Sequence, residues 1–378
     1  MKTMIGAYGP WADAMRPVQP GPLSLQHCPA GEFAARRLAA KTRVLECMAP
    51  PPRPAPVTPT VHRRWEHDGL EIEELSWPQP AGAPTAAWVL KPKGATGPLP
   101  GVLALHDHGG FKFYGKEKIA QVDARVHPLV AQHCADYYGG KAWANEIARR
   151  GYVVLVHDAF AFGSRRVRLA DVPELLHGDV KDDADDSPAG IDAYNLWTGM
   201  HEHVMAKSLF CAGTTWPGVF VTEDQMALDV LCARPDVDPA RIGIGGLSGG
   251  GLRTVFLGGL DERVKCAVCV GMMTTWRDAL LSKSYTHTWM CYVPLLPRDL
   301  DYPEIYGLRA PRPTMVLNTH EDGLFTHPEM ERAEQILARV FASAGAPDRF
   351  KCSWYPGGHK FDRPMQAEAF DWFGRWLA

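Results

Sequence analysis

The stretch Arg241-Ile242-Gly243-Ile244-Gly245-Gly246-Leu247-Ser248-Gly249-Gly250-Gly251 constrains this chain most, because a short apolar run ends abruptly in glycines around one serine. Gly246-Leu247-Ser248-Gly249-Gly250 fits G-x-S-x-G, a tight turn in which a strand passes straight into a helix and the serine hydroxyl points away from the sheet. A serine there sits in strained backbone, and small neighbours on both sides let the turn close. Ile242 and Ile244 read as the end of a buried strand, and Leu252 to Leu260 as the following helix, whose first amide belongs to Gly249. Glycine and serine also cluster in ordinary βα loops and in nucleotide-binding turns, so the surrounding pattern has to decide.

With 378 residues, 46% hydrophobic and 22% charged, the chain is long enough to bury a large core and has a soluble globular composition. Its 40 basic and 43 acidic residues leave a formal charge of -3, which gives no broad field for nucleic acid or an anionic membrane. Met1 to Pro20 is interrupted by Gly6, Gly9, Pro10 and Pro17 and does not read as a secretory leader. No run is long and apolar enough to cross a bilayer. The nine cysteines are odd in number, so any disulfide scheme leaves one out, and reduced thiols in the cytoplasm are the simplest expectation.

Gly31 to Met48 reads as an amphipathic helix, and six prolines between Ala49 and Thr60 then form a stiff connector. Residues 1 to 60 are therefore expected to be an extension laid on a main domain at 61 to 378, and could mediate contacts of a homodimer. Val61 to His67, Leu70 to Ser76 and Thr85 to Lys91 read as antiparallel strands entering a sheet. Pro100 to Leu105 and Tyr152 to Val156 are runs of the kind buried on both faces, and they end in His106-Asp107-His108-Gly109-Gly110 and His157-Asp158. Polar and glycine residues at the carboxyl ends of buried strands are where open α/β sheets bind ligands.

Two insertions, at about 163 to 222 and 271 to 308, are rich in aromatic residues and are expected to form pocket walls or a lid. Residues 111 to 140 form a further long excursion, and Lys141 to Arg150 reads as a helix. Thr222 to Ala233 is expected to be a capped helix with Glu223 and Asp224 in its first turn. Val264 to Val270, Pro313 to Asn318 and Phe350 to Tyr355 continue the strands; Pro328 to Ala344 and Met365 to Leu377 supply the last helices. The whole is an α/β pattern with a mostly parallel sheet.

A serine nucleophile needs a base to take its proton and an acid to orient that base. Ser248, Asp322 and His359 follow in the order Ser, acid, His, each just past an expected strand, although 74 and 37 residues separate them. Glu321 beside Asp322 is the competing carboxylate. The oxyanion needs two preorganised amides, one from Gly249 and the other from His108 or Gly109; losing one such donor typically costs ~3 kcal/mol of transition-state stabilisation.

The stretches Leu105 to Glu117 and His287-Thr288-Trp289-Met290-Cys291-Tyr292-Val293-Pro294, with the Ser248 elbow and the Glu321-Asp322-Gly323-Leu324-Phe325 turn, resemble the α/β-hydrolase superfamily, in particular its acetyl-xylan-esterase-like and dienelactone-hydrolase-like bacterial branch. The resemblance covers roughly residues 60 to 378. It implies hydrolysis of a small-molecule carboxylic ester without a metal or other cofactor. Relatives often begin the first loop His-Gly where this chain has His106-Asp107, which leaves open whether Asp107 braces that loop and which amide faces the oxyanion.

His106-Asp107-His108 and His201-Glu202-His203 invite a zinc reading, but neither pair of histidines has a third ligand at fixed spacing; His106 is expected to pack at the strand end and His201 and His203 to sit in the lid. The glycines around Ser248 lack the lysine of a phosphate loop. The rivals to ester hydrolysis are cleavage of carbon–carbon or peptide bonds by the same three residues, and a binding protein that has kept only the pocket.

Overall fold

The computed structural model describes residues 2–16 and 20–378; Met1 and 17–19, part of the stretch read for a leader, lie outside the described residues. Nine strands form one sheet: β1 (Thr60–His67), β2 (Leu70–Trp77), β3 (Thr85–Pro92), β4 (Leu99–Ala104), β5 (Val153–His157), β6 (Val237–Leu247), β7 (Val264–Val270), β8 (Thr314–Thr319) and β9 (Phe350–Tyr355). Their order is β1-β2-β3-β5-β4-β6-β7-β8-β9. β1 to β3 are antiparallel, β3 meets β5 antiparallel, and the six strands β5-β4-β6-β7-β8-β9 pair in parallel.

The chain moves from β4 outward to β5 on one side and returns to β6 on the other, so the order reverses at β4. Loops leaving the carboxyl ends of β4 and β6 diverge there and open a crevice. The strands β5, β7 and β8 are almost wholly buried, β5 and β7 as largely apolar runs and β8 with Met315, Val316 and Leu317 at its centre, as a sheet covered on both faces requires.

The helices are α1 (Gly9–Ala14), α2 (Ala30–Met48), α3 (Pro128–Tyr138), α4 (Trp143–Ala148), α5 (Pro188–Cys211), α6 (Trp216–Cys232), α7 (Gly249–Leu260), α8 (Trp276–Asp278), α9 (Tyr302–Gly307), α10 (His327–Ser343) and α11 (Arg363–Leu377). α2, α6, α7, α9 and α10 share the core of one sheet face, and α3, α4 and α11 cover the other. The proline connector is held by side chains of α6 and of the residues that cap it: Thr215 Oγ1 donates to Met48 O at 2.8 Å, and Thr222 Oγ1 to Pro51 O at 3.0 Å.

The expected helix start at Thr222 is corrected. α6 begins at Trp216, with the Thr215 side chain accepting from the Gly218 amide and Pro217 in the first turn, where its missing N–H costs nothing. Glu223 and Asp224 are buried in mid-helix, where Arg165 Nη2 meets Glu223 Oε1 at 2.5 Å and Arg253 grips both Asp224 oxygens at 2.5 and 3.0 Å. The first insertion is chiefly α5, 24 residues long and capped by Ser187. The second is built from short turns, 3₁₀ segments and a π-helical turn (Ala279–Lys283) around α8 and α9. Cys266 and Cys269, though spaced C-x-x-C, belong to opposite core faces of β7 and both are free thiols.

Candidate functional site

Ser248 stands between β6 and α7 at φ 56° and ψ −116°, a left-handed conformation that costs a non-glycine residue on the order of 1–3 kcal/mol. Packing holds it there. A Cβ on Gly246 or Gly250 would run into the Leu105 carbonyl at the end of β4, so only glycine lets the elbow sit this close to its neighbouring strand. The Ser248 amide donates to Val270 O at 2.9 Å, tying the turn to β7 as well.

Asp322 follows β8 and His359 follows β9. His359 Nδ1 lies 2.7 Å from Asp322 Oδ2, and the other carboxylate oxygen accepts from the Leu324 amide at 3.0 Å. The Asp322 side chain is fully buried and that of His359 is 14% exposed. Glu321, the competing carboxylate, instead accepts from the Gly357 amide. His359 Nε2 is buried and, among the described residues, has no hydrogen-bond partner. Ser248 and His359 border one cavity of ≈ 390 Å³, and Asp322, which does not line it, touches His359 Nδ1 and leaves the imidazole's outer nitrogen without a partner among the described residues.

The loop after β4 forms the facing wall. A Cβ on Gly249 would lie 2.7 Å from the His108 amide nitrogen, so the loop after β4 presses that nitrogen against the first residue of α7. Among the described residues the His108 amide reaches no acceptor. Gly109 turns its open side instead toward the Asp107 carboxylate and the His133 ring. Asp107 does brace this loop: its Oδ1 accepts from Tyr138 Oη at 2.5 Å, and its Oδ2 stands 3.0 Å from His133 Nε2 and 3.6 Å from Lys118 Nζ. Burial would raise its pKa, but Lys118 and His133 hold it well below the ordinary carboxylate range.

Glu202, named in the sequence only within the His201-Glu202-His203 stretch weighed for zinc, has a role that sequence reasoning missed. Its Oε1 meets His108 Nε2 at 2.6 Å and Lys112 Nζ at 2.5 Å; its Oε2 accepts from Thr288 Oγ1 at 2.5 Å and from the Trp289 amide at 3.2 Å. One buried carboxylate thus joins the β4 loop to both insertions. Burial opposes its ionisation, yet His108 and Lys112 drive its pKa far down. Because the Gly110 amide donates to His108 Nδ1 at 3.0 Å, the His108 proton sits on Nε2 and is donated to Glu202. A signal was present in the helix pattern: Glu202 falls on the same buried stripe of α5 as Ile191, Tyr194 and Thr198.

Two other histidines of the motifs considered for zinc behave otherwise. His201 stacks on Trp197 with centroids 5.4 Å apart, and His106 is buried at the strand end, accepting from the Ala159 amide at 3.1 Å. Among the described residues no three His, Cys, Asp or Glu side chains gather in a metal-binding group. His287, from the second insertion, borders the cavity with its buried Nε2 unpartnered, and burial pushes its pKa down to about 4, so it is neutral near pH 7.

No protein-family model matches the chain. A curated relative, "Putative hydrolase YtaP" of Bacillus subtilis (strain 168), is 29% identical over 294 residues, 77% of this chain and 83% of the relative. Among solved structures, a protein described as a putative acetyl xylan esterase from Bacteroides fragilis superposes with a TM-score of 0.70 at 17% identity, covering 91% of this chain and 81% of the other. A glucuronoyl esterase from Solibacter usitatus superposes at 0.60 with 15% identity, over 96% and 99% of the two chains. At these identities the structural likeness speaks for the fold. Together with the strand order and the elbow after β6, it shows that this chain has the α/β-hydrolase fold.

Proposed function

We propose that the protein is a serine hydrolase of small carboxylic esters that works through an acyl-enzyme. The observation that carries this reading is the His359–Asp322 contact at 2.7 Å, with the free His359 Nε2 bordering the same cavity as the strained Ser248. Ser248 Oγ attacks the ester carbonyl while His359 Nε2 takes its proton; Asp322 fixes the imidazole's orientation and offsets the charge it gains. The amides of Gly249 and His108 hold the tetrahedral oxyanion. His359 then protonates the leaving alcohol, and water resolves the acyl-enzyme by the same route in reverse.

The cavity's lining disfavours an anionic acyl group. Glu202 and Asp107 border it, and no lysine or arginine does. The names of the structural neighbours, acetyl xylan esterase and glucuronoyl esterase among them, favour esters over carbon–carbon or peptide bonds. Nine free thiols favour a reducing compartment such as the cytoplasm.

The test is hydrolysis of p-nitrophenyl esters from acetate to octanoate by the wild type and by Ser248→Ala. Serine-dependent turnover strongest for acetate is expected. Absence of turnover on every ester, with fluorophosphonate still labelling Ser248, would move the reading to a carbon–carbon or amide bond.

A further inference from the structure

We propose that Lys118 is a positioning residue for the oxyanion hole, an inference that rests on the hydrolase reading above: its ammonium grips the carbonyls of Asp107, His108 and Phe111 and so sets which way the amides between them face. Lys118 Nζ donates to Asp107 O, and to His108 O and Phe111 O at 3.2 Å each, three acceptors from five consecutive residues. In a trans peptide the carbonyl and the following N–H point in opposite directions. Pulling the Asp107 carbonyl toward the lysine therefore turns the His108 amide away from it, and the His108 nitrogen is the one beside Gly249. Holding the His108 carbonyl fixes the next plane in the same manner.

The position suits no other role in the reaction. Lys118 does not border the cavity of Ser248; it borders a second one of ≈ 390 Å³. Its side chain is fully buried, which costs several kcal/mol for an ammonium unless partners offset it, and the three carbonyls, Asp107 Oδ2 at 3.6 Å and the face of Phe162 at 4.8 Å are those partners. A neutral side chain would fill the space at lower cost. The charge is retained where it organises a loop whose two glycines, Gly109 at φ 55° and Gly110 at φ 64°, leave the backbone free to choose other orientations.

The groups facing the ammonium are Asp107, Glu117 and Asp158, which favour its charge, and the imidazoles of His106 and His108, whose own protonation it opposes. Burial outweighs the carboxylates and pushes its pKa down to about 8. Raising the pH through that value removes the proton and weakens the grip on the three carbonyls.

Lys118→Met in the full chain, assayed with p-nitrophenyl acetate, should lose about 100-fold in kcat with KM within about threefold, since the amides act on the transition state and not on bound substrate. Affinity for phenylboronic acid, whose tetrahedral adduct occupies the same hole, should fall by the same factor. A folded Lys118→Met protein with kcat within about threefold of wild type overturns the inference, as does a loss of kcat with boronate affinity unchanged. If that variant does not fold, the wild-type profile decides: kcat should decline on the alkaline side with a midpoint near pH 8, and a kcat level from about pH 7 to pH 10 overturns it. Wild-type protein that neither hydrolyses esters nor takes up fluorophosphonate refutes the hydrolase reading, and the inference falls with it; intact turnover in Lys118→Met refutes the inference alone.

Discussion

Replacing Glu202 by glutamine removes a charge from a site with almost no water. The two side chains of the Lys112–Glu202 pair are 3% and 6% exposed, and the pair is 2.5 Å apart. With glutamine there, Lys112 keeps the Thr198 carbonyl at 2.9 Å but faces a neutral amide in place of a carboxylate, and His108, Thr288 and the Trp289 amide lose an ionised acceptor. Breaking a buried pair by neutralising one member costs about 3–5 kcal/mol, a large share of an ordinary domain's stability. Urea unfolding followed by tryptophan fluorescence should register that loss in Glu202→Gln. Lys112→Met/Glu202→Gln should be less destabilised than the sum of the two single variants by up to ~3 kcal/mol, because the uncompensated ammonium is gone. A loss below about 1 kcal/mol in Glu202→Gln, or a strictly additive double variant, would refute the reasoning.

Three further outcomes are expected. Asp158 and Asp224 are fully buried, which by itself would raise their pKa, but Lys116 beside the first and Arg253 beside the second depress each to about 2. Their folded-state values lie below the unfolded 3.8, so each contributes about 2 kcal/mol that is complete above that pH and lost as pH falls toward 2; acid titration of unfolding free energy should show a steep drop between pH 4 and pH 2. Gly249→Ala places a methyl 2.7 Å from the His108 amide nitrogen, and kcat for acetate esters should fall about 100-fold with the protein still folded by circular dichroism; retention of full kcat would contradict the shared oxyanion site. His287→Ala enlarges the cavity beside Ser248, so the ratio of kcat/KM for hexanoate over acetate should rise, and an unchanged ratio would place the acyl chain elsewhere.

What was legible in the sequence was local. The elbow, Asp322 and His359 each sit where a buried apolar strand stops in turn residues, and that transition is written in consecutive letters. The antiparallel entry of β1 to β3 and the parallel remainder followed from the same alternation of strands and helices. Glu202 was hidden because its partners come from positions far apart in sequence: His108 and Lys112 lie about 90 residues before it and Thr288 about 86 after it. The start of α6 was misplaced because Trp216-Pro217-Gly218 looks like a break, while Glu223 and Asp224 look like first-turn acids when their real partners are Arg165 and Arg253. α3 escaped for a similar reason, since His127 is an uncommon cap and Pro128 at the first position reads as an interruption. Lys118 gave no signal at all: a lysine in a polar loop is normally solvated, and only the fold turns it inward.

The central claim is that Ser248 carries the acyl group. Mass spectrometry of the full chain, acid-quenched during steady turnover of p-nitrophenyl acetate and then digested, tests it most directly. One acetyl group on the peptide that contains Ser248, absent from Ser248→Ala, is the expected result. Undiminished hydrolysis by Ser248→Ala, or an acetyl group carried by another residue during turnover, would contradict it.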